Sequence, residues 1–376
     1  MRYLRLSTLL SALSFSGLAQ AAVGAWGQCG GQTYTGETTC VAGQCLPSTS
    51  SVSSTTSRSS SSSSSTRSSS SSSSTRTSST STSTRISSSS TRTSSSATSS
   101  PTVNIPRSTF TEITSYYGSN PTNVRSWIYV PANLATNPPI VAAIHWCSGS
   151  ANAMYSTGVF NNLAEQKGFI VIFPETANSD KCWDVHTTET LTHNAGGDSL
   201  GIVSAIRWTI ANYGANSARV YATGISSGAM MTNVLLGAYP DIFAAGSAVA
   251  GVPYACFQGT PSWSTECATG QLIKTPQEWG NLVRNGYPGF TGTRPKMQFW
   301  HGTADDVLYY QNFLEETKQW TNVFGVSTTP TNTVQNYPIA GWTRYDYGPN
   351  VMGISAAGVG HGISYQSTQI MEWFGL

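Results

Sequence analysis

The sequence predicts an α/β protein, a mostly parallel sheet with helices on both faces, and three observations carry that prediction. From residue 101 to residue 376, short β-branched and aromatic runs alternate with stretches of helical period, the order that gives a parallel sheet. Several of those runs are apolar throughout, as strands covered on both faces are. One of them, Arg219-Val220-Tyr221-Ala222-Thr223, leads straight into Gly224-Ile225-Ser226-Ser227-Gly228 and then into an apolar helical stretch. That is a Gly-x-Ser-x-Gly turn joining a strand to a helix.

The chain ahead of this domain belongs to other classes. Residues 1–21 carry Arg2 and Arg5, an apolar centre and Ala19-Gln20-Ala21 as a small-x-small cleavage site. They form a secretory signal peptide, too short to span a bilayer. No later run is long and apolar enough to span one, so a secreted, extracellular protein with no membrane partner is expected.

Residues 22–46 are dense in Gly and Cys: Trp26-Gly27-Gln28-Cys29-Gly30-Gly31, then Tyr34, Gly36, Thr39, Cys40, Gly43 and Cys45. The segment resembles the fungal family 1 cellulose-binding module, a disulfide-stapled wedge with a flat aromatic face. After Cys40 it departs from that pattern. Val41-Ala42-Gly43 runs directly into Gln44-Cys45-Leu46, where the module has a further cysteine and two platform aromatics. The segment is a truncated form, and Trp26 is its one candidate for contact with cellulose. So small a unit depends on its staples.

Residues 47–100 are nearly all Ser and Thr, interrupted by Arg58, Arg67, Arg76, Arg85 and Arg92. They have too little apolar surface to offset chain entropy and read as a disordered, O-glycosylated tether. Residues 101–376 form the globular domain.

The formal charge of +2 is misleading about that domain, because from residue 101 onward 12 Lys and Arg face 16 Asp and Glu. Nucleic acid calls for a basic face and is excluded as a partner. A neutral substrate is compatible. Strands are expected at 127–130, 140–145, 169–173, 219–223, 244–250 and 297–300, and helices at 160–167, 199–213, 230–237 and 311–323. The chemistry should sit at the carboxyl ends of the strands.

The elbow makes Ser226 the nucleophile. Gly224 and Gly228 are small because the helix leaving such a turn passes close to the strand entering it. A serine hydroxyl needs a base to take its proton, and the base needs a carboxylate to hold its tautomer. Where the order is nucleophile, acid, histidine, Asp305 in His301-Gly302-Thr303-Ala304-Asp305-Asp306 is the acid, with Asp306 and Asp346 as competitors. Only His361 follows, in Ala357-Gly358-Val359-Gly360-His361-Gly362, and it is the base. His301 is read as a strand-end residue bonding its own turn. The oxyanion needs two backbone donors, the N–H of Ser227 after the nucleophile and that of Cys147 in the loop Ile144-His145-Trp146-Cys147-Ser148-Gly149.

Of the seven cysteines, Cys147, Cys182, Cys256 and Cys267 lie in the domain, and secretion favours their pairing. Four cysteines allow three connectivities. Cys256 with Cys267, then Cys147 with Cys182, is the favoured one. A metal site at His145 and Cys147 is disfavoured for the same reason, and no cofactor is expected.

From about residue 108 to the end the chain resembles fungal carbohydrate esterase family 1, the acetylxylan and feruloyl esterases. The segments that carry the resemblance are His145-Trp146-Cys147, Cys182-Trp183-Asp184-Val185, Leu191-Thr192-His193-Asn194, the run from Gly224 to Asn233, the run from His301 to Asp305, and the run from Gly358 to His361. The resemblance implies an α/β-hydrolase fold, a triad of Ser226, Asp305 and His361, and an oxyanion hole of Cys147 and Ser227. It implies acetylated xylan as substrate, with feruloylated arabinoxylan as the alternative. Leu308-Tyr309-Tyr310 and Gly362-Ile363-Ser364-Tyr365 differ from the acetylxylan esterases, which leaves acyl preference to those loops. Trp146 and Trp183 are candidates to line a sugar or acyl site. A reading from another class is a non-catalytic carbohydrate-binding or surface protein on an inert hydrolase fold, and the complete Ser, Asp and His set argues against it.

Overall fold

The computed structural model describes residues 106–115 and 117–376. The signal peptide, the segment bearing Trp26, Cys29, Cys40 and Cys45, and the Ser/Thr tether lie outside the described residues. The strands among them, in chain order, are β1 (Phe110–Glu112), β2 (Arg125–Tyr129), β3 (Ile140–Ile144), β4 (Ile170–Glu175), β5 (Val220–Ile225), β6 (Ala245–Val249), β7 (Lys296–Gly302), β8 (Asn332–Gln335), β9 (Trp342–Asp346) and β10 (Val351–Ala356). The helices are α1 (Ala151–Ser156), α2 (Val159–Lys167), α3 (Thr188–Leu191), α4 (Gly197–Tyr213), α5 (Ser227–Ala238), α6 (Thr265–Ala268), α7 (Pro276–Gly286), α8 (Gln311–Phe324) and α9 (Ser367–Phe374).

One sheet holds the strands in the order β1-β2-β4-β3-β5-β6-β7-β10-β9-β8. The run from β4 to β10 is parallel, and antiparallel pairs finish both edges. All five residues of β3, Ile-Val-Ala-Ala-Ile, are buried. Their side chains alternate, as a pleated strand requires. Ile140, Ala142 and Ile144 join the cluster that takes in Ile202 and Ile206 of α4, Trp279 of α7 and Trp320 of α8. Val141 and Ala143 join the opposite cluster, with Met154 of α1, Phe160 of α2 and Met371 of α9. The sheet is therefore covered on both faces, which is why its central strands read as apolar runs.

Each of the six expected strands and four expected helices is present, with ends shifted by a few residues. The largest shift is at α5, which starts at Ser227, directly on the elbow. The C-terminal strands β8, β9 and β10 lie outside the expected set. β10 is a parallel neighbour of β7, but Gly353 breaks its apolar run, because a Cβ there would meet ring atoms of Phe313 and Phe299 at 2.8 and 2.9 Å. α7 also lies outside the expected set. It begins with a capping box between Thr275 and Glu278 and has Pro276 in its first turn. No helix among the described residues is long and apolar enough to cross a membrane.

Candidate active site

β5 ends at Ile225, and Ser226 turns the chain into α5 with φ 56° and ψ −123°. A positive φ on a residue with a Cβ costs on the order of 1–3 kcal/mol and persists only where the surroundings enforce it. Here the surroundings are backbone. A Cβ on Gly224 would lie 2.3 Å from the Gly228 carbonyl, and one on Gly228 would lie 2.3 Å from the Ile144 oxygen and 2.6 Å from that of His145. The start of α5 thus packs directly on the end of β3, which leads into the loop bearing Cys147.

Two loops bring the other groups to Ser226. Asp305 follows β7 and His361 follows β10, and backbone bonds join the loops: Thr303 N–H to the Ala356 oxygen at 2.9 Å and Ala304 N–H to the Val359 oxygen at 2.9 Å. His361 Nε2 stands 2.9 Å from Ser226 Oγ, and its Nδ1 stands 2.8 Å from Asp305 Oδ2. Asp305 is buried, and its Oδ1 accepts from the N–H groups of Val307 and Leu308 at 3.0 and 2.9 Å. Burial pushes its carboxyl up, but hydrogen bonds from His301 and His361 outweigh that and hold it well below the usual carboxylate range. Of the competing acids, Asp306 is exposed and Asp346 pairs with Arg344 at 2.7 Å.

His301 bonds its own turn, its Nε2 lying 2.7 Å from the Leu308 oxygen, and it also stands 3.2 Å from Asp305 Oδ2. Asp305 is thus held between two histidines. With Ser226 donating to His361 Nε2 and His361 Nδ1–H donating to Asp305, the line can pass a proton off the serine and stabilise the imidazolium that results.

The candidate oxyanion donors lie on two elements tied by the segment Cys182-Trp183. Cys147 is disulfide-bonded to Cys182, and Cys256 to Cys267, the two favoured pairings. The Trp183 N–H donates to Ser227 Oγ at 2.8 Å, and the Trp183 indole N–H donates to the His145 oxygen at 2.8 Å. This corrects the expectation that Trp183 lines a sugar or acyl site. It is 2% exposed and acts as a clamp between the β3 loop and the elbow. That role rests on a contact between residues 44 apart, for which the sequence carries no local signal. Trp146 is half-buried against the cluster beneath α1 and α2. Tyr309, in the departing loop after β7, is 45% exposed, and Trp263, on the loop after β6 and outside the sequence-predicted candidates, is 48% exposed.

Residues 125–262 match the Esterase PHB depolymerase family, and residues 25–48 match the fungal cellulose binding domain. A probable acetylxylan esterase A of Aspergillus flavus is 49% identical over 276 residues, 72% of this chain and 90% of the relative. Acetylxylan esterase A of Emericella nidulans is 50% identical over 264 residues, 69% of this chain and 87% of the relative. The solved acetyl xylan esterase from Aspergillus awamori has a TM-score of 0.70 and 44% identity, covering 71% of this chain and 99% of that one. With that identity over nearly the whole length of these relatives, the chain belongs to the fungal acetylxylan esterase family and is a carboxylic ester hydrolase.

Proposed function

We propose that the protein is a secreted serine esterase that removes acetyl groups from acetylated xylan through an acyl-enzyme. The observation that carries the reading is the hydrogen-bonded line from Ser226 through His361 to Asp305, with contacts of 2.9 and 2.8 Å. It stands in a chain 49% identical to a probable acetylxylan esterase. His361 Nε2 takes the hydroxyl proton as Ser226 Oγ adds to the acetyl carbonyl. The oxyanion forms against the N–H groups of Cys147 and Ser227, a donor of this kind being worth about 3 kcal/mol. His361 returns the proton to the departing sugar oxygen, leaving acetyl-Ser226. Water, deprotonated by the same imidazole, then adds to the acetyl carbonyl, and the imidazole returns that proton to Ser226 Oγ as acetate leaves.

Two measurements test the reading. Purified protein is expected to be labelled at Ser226 by a fluorophosphonate and to release acetate from acetylated xylan faster than ferulate from methyl ferulate. Absence of labelling in folded protein would leave a binding protein on a hydrolase fold. Ferulate release without acetate release would make it a feruloyl esterase. Secretion is tested by the N-terminus of the protein in culture medium, expected at Ala22.

A further inference from the structure

Resting on the Cys147 N–H as an oxyanion donor, we propose that the buried His145 imidazole is a positioning residue of the oxyanion hole. Its Nδ1–H holds the Trp146 carbonyl and so fixes the direction of the Cys147 N–H. The two groups belong to one planar trans peptide, in which C=O and N–H point opposite ways. Whatever holds Trp146 O on one side aims the Cys147 hydrogen to the other. His145 Nδ1 lies 2.7 Å from Trp146 O, and the Gly149 N–H reaches the same oxygen at 3.0 Å. Among the described residues the Cys147 N–H has no acceptor of its own.

The neighbouring bond fixes the tautomer of His145. The Thr176 N–H points at His145 Nε2 from 3.4 Å, so Nε2 offers its lone pair and the ring proton sits on Nδ1. The ring is fully buried, and burial pushes its basicity down to about 4, which keeps it neutral at the pH of catalysis. Of the other ties on the loop, the Gly149 N–H reaches the same Trp146 oxygen from within the turn, and the Ser148 N–H bonds the Asp180 oxygen at 3.1 Å one peptide further on. The disulfide to Cys182 anchors the Cys147 side chain and makes no bond to the Trp146 carbonyl. The Gly149 bond closes a turn whose third residue, Ser148, sits at φ 61°, a conformation that turns usually give to glycine. His145 is anchored from outside the turn, through Thr176 on the segment after β4 and through the Trp183 indole on its carbonyl.

The test compares His145→Gln with His145→Asn, because an asparagine amide nitrogen can occupy the place of Nδ1 and a glutamine nitrogen cannot. The substrate is 4-nitrophenyl acetate, so the result is independent of xylan as the natural substrate. His145→Gln is expected to lower kcat on the order of 10²-fold with KM within about threefold, the signature of a lost oxyanion interaction. Its affinity for phenylboronic acid, which forms a tetrahedral adduct with the nucleophile, should fall in parallel, and His145→Asn should recover at least about tenfold of kcat. Unchanged kcat in a folded His145→Gln protein, a loss confined to KM, or no recovery with asparagine would overturn the proposal. Side-chain 15N spectra of the wild type test it even if the variants do not fold. A neutral Nδ1–H ring for His145 is expected throughout pH 5–8, and an Nε2–H or doubly protonated ring would refute the assignment. Loss of activity on acetylated xylan alone, with 4-nitrophenyl acetate still turned over, would sink the substrate reading and leave this one standing.

Discussion

At the scale of single residues, the site depends on groups held where an unconstrained chain would not put them. Ser226 keeps a positive φ because Gly224 and Gly228 are backed by main-chain atoms at 2.3 Å. Ser226→Ala and His361→Ala are each expected to lose on the order of 10⁴-fold or more in kcat with the melting temperature nearly unchanged. A residual rate within tenfold of wild type would reassign the triad. Asp305→Asn should lose roughly 10⁴-fold and Asp306→Asn little, since only Asp305 bonds His361. Asp305 also makes a stability prediction. Its carboxyl is held below the ordinary range in the folded state, so its contribution is present above the unfolded value and fades as pH falls toward the folded one. The stability gap between wild type and Asp305→Asn, read by urea unfolding, should be full at neutral pH and shrink below about pH 4.

At the scale of elements, the start of α5 packs directly on the end of β3. Gly228→Ala would drive a Cβ to 2.3 Å from the Ile144 oxygen, and since that atom is backbone the cost should be about 3 kcal/mol or more. Chemical denaturation measures it, and a loss under 1 kcal/mol would mean that the two elements separate easily. The disulfides differ in reach. Removing Cys147–Cys182, with a separation of 35, should cost roughly 4 kcal/mol, and removing Cys256–Cys267, with a separation of 11, about 3 kcal/mol. α8 carries Glu316, fully buried, with Oε1 accepting from Asn233 Nδ2 at 2.8 Å and Oε2 without a hydrogen-bond partner among the described residues. Burial raises its carboxyl to about 7. A raised carboxyl stabilises the fold fully below its unfolded value and loses that contribution as pH rises through about 7. Glu316→Gln should therefore flatten the decline in melting temperature between about pH 4.5 and pH 7. An unchanged slope would place the decline in another group.

At the scale of the whole molecule, the front segment and the esterase domain are expected to act separately. The front segment has Trp26 but lacks the paired aromatics of a flat platform, and the Ser/Thr-rich stretch after it is expected to act as a tether that transmits no strain. Deleting residues 22–46 is expected to change adsorption to crystalline cellulose little and turnover of soluble esters not at all. A pull-down comparing the two forms decides it. Strong adsorption that vanishes with the deletion would mean that residues 25–48, which match the cellulose binding domain, bind in their shortened form.

The sequence by itself determined what is written in local pattern. Apolar runs mark the six strands from β2 to β7, Gly-x-Ser-x-Gly marks the elbow, and chain order leaves His361 as the one histidine after the acid. α7 carries a local signal as well, Thr275-Pro276-Gln277-Glu278, and was within reach of the same reading. Other features belong to contacts between distant residues. β10 is hidden because Gly353 makes room for Phe299 and Phe313, and its place beside β7 carries the loop of His361 onto that of Asp305. Trp183 reads equally well as a sugar platform or a core residue until its two bonds, to Ser227 and to His145, give it the role of a clamp. A side chain's partner across 44 residues is set by how layers pack, and packing has no period along the chain.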